Sequence, residues 1–292
     1  MTERLTTLAA AADVTPYHTS LGMRVETLAP DFARLRIPYA DANSNPGRAL
    51  HGGVYASAID AAGALAAQAG VDDAAALERR TLDLSVVYLA AAIGEDVHAD
   101  ARVLRRGKDL AYASVDVRND VDKALATGLV THRMAPAGPA EREQSFAPDT
   151  APPAAAAVPE LARAIMGVPF IAARGMRITH MHEGRARVVM PWAPGHASTD
   201  GTLHEGAVAA LLDTAGAMAS WSVVGIDFRY KASTVGIHAS FHAAACEEEV
   251  VADARTLRRA NESFLNTVTV WGATSGRTIA TGAVTYRIVV PA

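Results

Sequence analysis

Two stretches dominate the hydropathy pattern of the chain. Residues 52–69 and 206–225 are almost wholly apolar or small, and each carries one charge, Asp60 in the first and Asp213 in the second. A surface helix would alternate an apolar stripe with a polar face, whereas a segment apolar on all sides is predicted to be a helix covered on most of them. Ahead of each stretch lies a strand-like run, "FARLRIPY" (32–39) and "GRARVVMPW" (184–192). Behind the first come four more, 81–91, 96–106, 110–119 and 123–133, rich in β-branched and aromatic residues and broken by "RRGKD" and "NDVDK". One helix and about five antiparallel strands per half predict an α+β fold, a curved sheet wrapped around one long central helix.

The halves are copies. A constant offset of 153 carries His51 onto His204, Asp60 onto Asp213, Gly63 onto Gly216, Thr81 onto Thr234 and "DARVLRR" (100–106) onto "DARTLRR" (253–259). Near the end the offset becomes 154, with "ATG" at 126–128 matching "ATG" at 280–282. The chain divides into an N-terminal domain, 1–135, an Ala/Pro-rich linker, 136–160, and a C-terminal domain, 161–292. The segments "ERLTTLAAAAD" (3–13) and "LARAIMG" (161–167) are expected to be helical lead-ins to the two copies.

A lone carboxylate inside a buried helix costs several kcal/mol unless it is paired or functional. Its recurrence at the same register in both copies argues for function. His51 and Asp60 are nine residues apart, which on a helix is about 13 Å along the axis and half a turn around it. One small reacting group cannot touch both. If the His-Gly end and the Asp serve one site, they come from different helices. Two copies packed with antiparallel helices would form an intrachain pseudo-dimer with two composite sites. The start of a helix offers unpaired N–H groups and the positive end of the dipole, suited to a developing oxyanion. An acid facing that spot can activate water or attack directly.

Composition narrows the classes without adding to them. The 292 residues carry a net charge of −4, with no basic run to suggest nucleic acid. The single Cys246 allows no intrachain disulfide. The N-terminus lacks a signal-peptide core, and no uncharged run has membrane character, the nearest being the Ala/Gly-rich 206–225 with Asp213 inside it. The expectation is a cytoplasmic protein with no membrane or nucleic-acid partner.

The pattern Asn45-x5-His51-Gly52-Gly53-x7-Asp60, with the following "TLDLSVVYLAAAIGEDVHADARVLRRGKDLAYASVDVRND", resembles the hotdog-fold acyl-CoA thioesterases of the phenylacetate-degradation type. The resemblance covers nearly all of both copies, so the chain looks like a tandem hotdog protein. It implies hydrolysis of acyl-CoA, with coenzyme A as part of the substrate and no separate cofactor. It also implies that the Asp and the Asn/His/Gly end come from opposite units. The first site would then join Asn45, His51 and Gly52 to Asp213 and Thr234. The Gly52 N–H would polarise the carbonyl, Asp213 would be base or nucleophile, Asn45 would orient water or the carbonyl, and Thr234 would hydrogen-bond the water or the carboxylate. The second would join Ser198, His204, Glu205 and Gly206 to Asp60 and Thr81. Ser198 stands where Asn45 stands and Glu205 where Gly52 stands, so the first site is expected to work and the second to be weak. Arg105, Arg106, Lys108, Arg258 and Arg259 are candidates for the coenzyme A phosphates. One such chain stands for a hotdog dimer, and relatives pair such dimers, so a homodimer of this chain is expected.

Other signals point elsewhere. His238, His242 and Cys246 fall in a strand pattern and lack the Glu of a zinc-protease motif, and no metal site is expected there. "HMH" (180–182) reads as a strand or turn fragment, and no P-loop, dinucleotide fingerprint or nucleophilic-serine elbow is present. Trp192, Trp221 and Trp271 are expected to pack the core, with Trp221 placed to narrow an acyl pocket. The competing functions are an acyl-thioester hydratase or dehydratase, which the Asn-x5-His-Gly-Gly pattern disfavours, and a non-catalytic acyl-CoA-binding protein with decayed sites.

Overall fold

The computed structural model describes residues 2–72, 77–136 and 160–290. In chain order the first half runs α1 (Glu3–Asp13), α2 (Pro16–Leu21), β1 (Arg24–Ala29), β2 (Phe32–Ile37), α3 (Gly52–Ala69), β3 (Leu77–Tyr88), β4 (Val97–Arg106), β5 (Leu110–Asn119) and β6 (Ala124–Pro136). The second repeats it as α4 (Glu160–Met166), α5 (Pro169–Ala173), β7 (Arg177–His182), β8 (Arg185–Met190), α6 (Glu205–Val224), β9 (Lys231–Phe241), β10 (Val250–Ala260), β11 (Ser263–Gly272) and β12 (Thr278–Val289). Of the predicted linker, Pro136 ends β6 and Glu160 begins α4; the residues between lie outside those described.

Each half has six strands rather than five. The additional ones, β1 and β7, lie at the two ends of the sheet. An edge strand buries little, and β1 has only Leu28 fully buried. A register shift between Val25 and Thr27, matched by one between Ile178 and His180, breaks the alternation that would have marked them.

All twelve strands join in one antiparallel sheet, ordered β1-β2-β4-β5-β6-β3-β9-β12-β11-β10-β8-β7. The halves meet where β3 pairs with β9, and Ser85 lies opposite His238. These two residues are 153 apart, so each faces its own counterpart and the local twofold passes between them. The curved sheet wraps α3 and α6, which explains their composition: 16 residues of each are buried. By length and composition α6 could cross a membrane, yet 83 % of its most apolar window is buried inside the protein.

The helices touch at small residues. A Cβ on Gly53 would lie 2.6 Å from the Cβ of Ala210, and one on Gly206 would lie 3.0 Å from the Cα of Ser57. These contacts are twofold counterparts, and they set the start of each helix against the middle of the other.

Candidate active site

Each helix begins on a histidine. His51 caps α3, its Nδ1 accepting the Gly53 N–H at 2.9 Å, and His204 caps α6, its Nδ1 accepting the Gly206 N–H at 3.0 Å. Histidine is an unusual cap. Here an aromatic residue of the lead-in holds each ring: Phe170 stacks on His51 with centroids 3.8 Å apart, and Tyr17 lies 5.0 Å from His204. Burial, with the Arg174 guanidinium, pushes His51 down to about 3. It is therefore neutral, with its Nδ1 lone pair already committed, and its 3.7 Å approach to Asp213 Oδ2 is not an ion pair.

Asp213, from the middle of α6, reaches the start of α3. A Cβ at Gly52 would lie 2.6 Å from Asp213 Oδ2, so a side chain there would force the carboxylate to shift. Thr234 on β9 donates to Asp213 Oδ1 at 2.7 Å. Burial raises the Asp213 carboxyl to about 6, against the pull of the Thr234 hydroxyl and the Gly53 N–H. Asn45, Gly52, Asp213 and Thr234 all line one cavity of about 410 Å³. Among the described residues the Asn45 side-chain amide has no protein partner. This brings together all five residues predicted for the first site. Sequence reasoning missed Tyr88, whose hydroxyl donates to the Gly52 carbonyl at 3.0 Å, and Phe170. Phe170 could have been found as the counterpart of Tyr17, each following a proline.

The second site has the same frame and a different content. Thr81 donates to Asp60 Oδ1 at 2.6 Å, and His204 Nδ1 lies 3.8 Å from Asp60 Oδ2. Asp60 is wholly buried and its Oδ2 has no partner. Burial and the nearby Glu205 carboxylate raise it to about 7, against Arg79 and the Thr81 hydroxyl. Arg79 reaches within 3.9 Å of Glu205, and its counterpart in the first site is Ala232, which lines the large cavity. Here only about 40 Å³ remains open; Thr81 and Glu205 line it, Asp60 does not. The Ser198 hydroxyl is buried without a partner, and His204 Nε2 faces His18 Nε2 at 3.1 Å.

Asp60, His204 and Glu205 present ligand atoms within 4.8 Å of one another. They suit a cation poorly, because His204 Nδ1 already takes the Gly206 N–H and the Arg79 guanidinium stands beside Glu205. His238 bonds Ser85 and His242 bonds Thr281, so the two do not converge with the exposed Cys246.

None of the five cations expected at the coenzyme A phosphates lines either cavity. Arg106 bonds Asp31 at 2.6 Å and the Ala67 carbonyl at 2.8 Å, at the end of α3 remote from Gly52. Arg105 and Lys108 belong to the same hairpin. Arg258 and Arg259 occupy the matching hairpin, where Arg259 lies over Phe264. In both copies the basic dipeptide sits at the end of a hairpin. Arg48 lies over the Tyr39 ring at 4.9 Å, and Lys123 Nζ donates at 3.2 Å to the carbonyl of Ala91, a residue that lines the cavity.

The thioesterase superfamily matches this sequence twice, over residues 47–126 and 200–279. Mouse acyl-coenzyme A thioesterase 13 is 30 % identical over 108 residues, 36 % of this chain and 75 % of that protein. The medium/long-chain acyl-CoA thioesterase YigI of Escherichia coli K12 is 31 % identical over 133 residues, 41 % of this chain and 85 % of its own length. Among solved structures, a hot dog fold protein from Alicyclobacillus acidocaldarius superposes with a TM-score of 0.68 at 15 % identity, covering 94 % of this chain and 98 % of that one. The acyl-CoA thioesterase II TesB2 of Mycobacterium marinum does so with a TM-score of 0.65 at 12 % identity, covering 94 % and 99 %. At such identities the likeness is one of fold, and it extends over both repeats.

Proposed function

Because this chain belongs to the thioesterase superfamily, whose domain it carries twice, we propose that it hydrolyses acyl-CoA thioesters to free acid and coenzyme A at one composite site. The observation that carries this reading is Asp213 held against the start of α3 at the wall of a cavity, fixed by Thr234 and neighboured by Asn45. The names of the relatives, acyl-CoA thioesterases, supply the substrate class.

In this reading the thioester carbonyl oxygen accepts the Gly52 N–H at the positive end of α3. Asn45 orients a water beside the carbonyl carbon. Asp213 takes a proton from that water as its oxygen bonds to carbon, and the carbonyl π pair moves onto the oxygen held by Gly52. The tetrahedral adduct collapses, the C–S bond breaks, and the departing thiolate recovers the proton from Asp213. A base raised to about 6 is ionised at neutral pH and still basic enough for this work. His51 fixes the helix start and the Gly53 N–H, and takes no proton. The second site, filled by Arg79 and Glu205, does not turn over.

The test is thiol release from acyl-CoA, followed by one turnover in H2¹⁸O with enzyme in excess. Label in the product acid is expected. Label in the Asp213 carboxylate would replace the water step by an acyl-aspartyl anhydride, and the absence of hydrolysis for every thioester would overturn the enzymatic reading.

A further inference from the structure

Beyond the contact between Gly52 and Asp213, the cavity runs on along one face of α6. Asp213, Ala217 and Trp221 stand four residues apart on that face, with Thr214 and Met218 beside them. Ile165, Val168 and Ile171 of the α4–α5 lead-in also line it. The eight residues from Asp213 to Trp221 span about 12 Å. Trp221 stands at the far end of this face. Trp221 is 8 % exposed, its Nε1 donates to the Tyr286 hydroxyl at 3.3 Å, and its ring lies 13° from parallel with Tyr230 at 6.3 Å between centroids.

The internal repeat separates what the fold requires from what this cavity requires. In the first copy Ala12, Thr15 and His18 occupy the places of Ile165, Val168 and Ile171. Gln68 occupies the place of Trp221, and His132 that of Tyr286. The same helix and sheet are therefore built with small or polar residues at these five positions. Their apolar and aromatic character in the second copy is not a demand of folding. It serves whatever enters the cavity, and among the described residues no group of this chain does.

We infer that this arm receives a straight fatty-acyl chain, and that Trp221, braced by Tyr286 and Tyr230, sets its length. With C–C bonds near 1.5 Å in a zigzag, an arm of this depth holds roughly eight to ten carbons counted from the thioester. An aryl acyl group would fill only the part nearest Asp213. The assignment rests on the acyl-thioester reading above, and it adds the chain length and the residue that limits it.

The experiment is a series of saturated acyl-CoA substrates from two to sixteen carbons. Each methylene that enters the arm is worth about 0.8 kcal/mol, close to fourfold in kcat/KM. The wild type should climb by up to that factor per carbon, peak at eight to ten, and fall beyond. Trp221→Ala should move the peak to longer chains by about three or four carbons while two-carbon turnover stays within severalfold. Trp221→Phe, a smaller perturbation of the fold, should move it by one or two. A wild-type profile that is flat, or that peaks at fourteen carbons or more, overturns the inference. So does a Trp221→Ala enzyme slowed equally at every length, which would mark Trp221 as structural. If no thioester is cleaved, the hydrolase reading fails separately. Titration calorimetry with non-hydrolysable acyl-CoA thioethers of the same lengths then decides the arm: tightest binding at eight to ten carbons supports it, and affinity independent of length overturns it.

Discussion

The two halves of this chain place the same four kinds of group in the same frame, and the frame alone does not make a site. In both, a histidine caps the helix, an aromatic residue of the lead-in packs on it, and a buried aspartate from the opposite helix takes a threonine hydroxyl at 2.6–2.7 Å. Around Asp213 this frame borders a cavity of about 410 Å³; around Asp60 the space is taken by Arg79 and Glu205. The difference comes down to a few side chains. Glycine at 52 leaves the helix start open to the cavity beside the Asp213 carboxylate, whereas Glu205 sets a chain and a charge there. Ala232 leaves room where Arg79 fills it. A duplicated chain needs both frames, because each half completes the other's helix contact. It does not need both reactions, so one site could fill without loss of the fold.

The largest effect that can break this comparison is mutational. Asp213→Asn is expected to lower kcat by about 10³-fold, the range for loss of a positioned base. Asp60→Asn should leave kcat within twofold. Thiol release from one good acyl-CoA substrate measures both. Equal losses would mean that the second site is alive and that Arg79 and Glu205 move aside for substrate.

The pH profile sharpens the same contrast. Asp213 must be ionised to act, and its carboxyl is raised to about 6. Below that value kcat/KM should fall tenfold per pH unit, with a single inflection near 6. Asp60, raised to about 7, should leave no trace in the profile. An inflection near 7 that vanishes in Asp60→Asn would assign the activity to the other half. His51, pushed down to about 3, adds nothing in the working range.

Much of this architecture is legible in the sequence because the repeat is strict. The offset of 153 identifies the two helices, the two buried acids and the need for residues from opposite copies, and the helical rise forces the composite arrangement. The substitutions Ser198 and Glu205 likewise mark the second half as altered before any coordinate is known. Arg79 is not legible in that way. It lies in a strand, and only the sheet shows that its side chain enters the space that Ala232 leaves open. The edge strands β1 and β7 are hidden for another reason, since a register shift breaks the alternation of each and β1 buries little besides. The basic hairpins recur in both copies, and such recurrence signals fold as readily as function. The acyl arm becomes readable only when the structure shows which positions line it and the repeat supplies their counterparts.

The smallest expected effect concerns stability, and it tests whether Asp60 survives as a cost. Its folded carboxyl is raised from 3.8 to about 7, so the unfolded chain ionises it first as pH rises. The neutral carboxyl favours the folded state below pH 4, and that contribution is lost progressively as pH climbs towards 7. Above 7 the protein holds a buried anion whose Oδ2 has no partner. Asparagine at this position is neutral and similar in shape, and its Oδ1 still accepts the Thr81 hydroxyl. Asp60→Asn should therefore stabilise the protein at pH 8 by on the order of 1–3 kcal/mol, below the limit set by about 1.4 kcal/mol per pKa unit. That corresponds to a Tm higher by about 2–8 °C. At pH 4 the two proteins should melt together. Scanning calorimetry at both pH values measures the difference. A lower Tm for Asp60→Asn at pH 8 would mean that Arg79 pairs the Asp60 carboxylate strongly enough to outweigh its burial. The plug would then be a stabilising ion pair, and the second half would have exchanged its chemistry for stability.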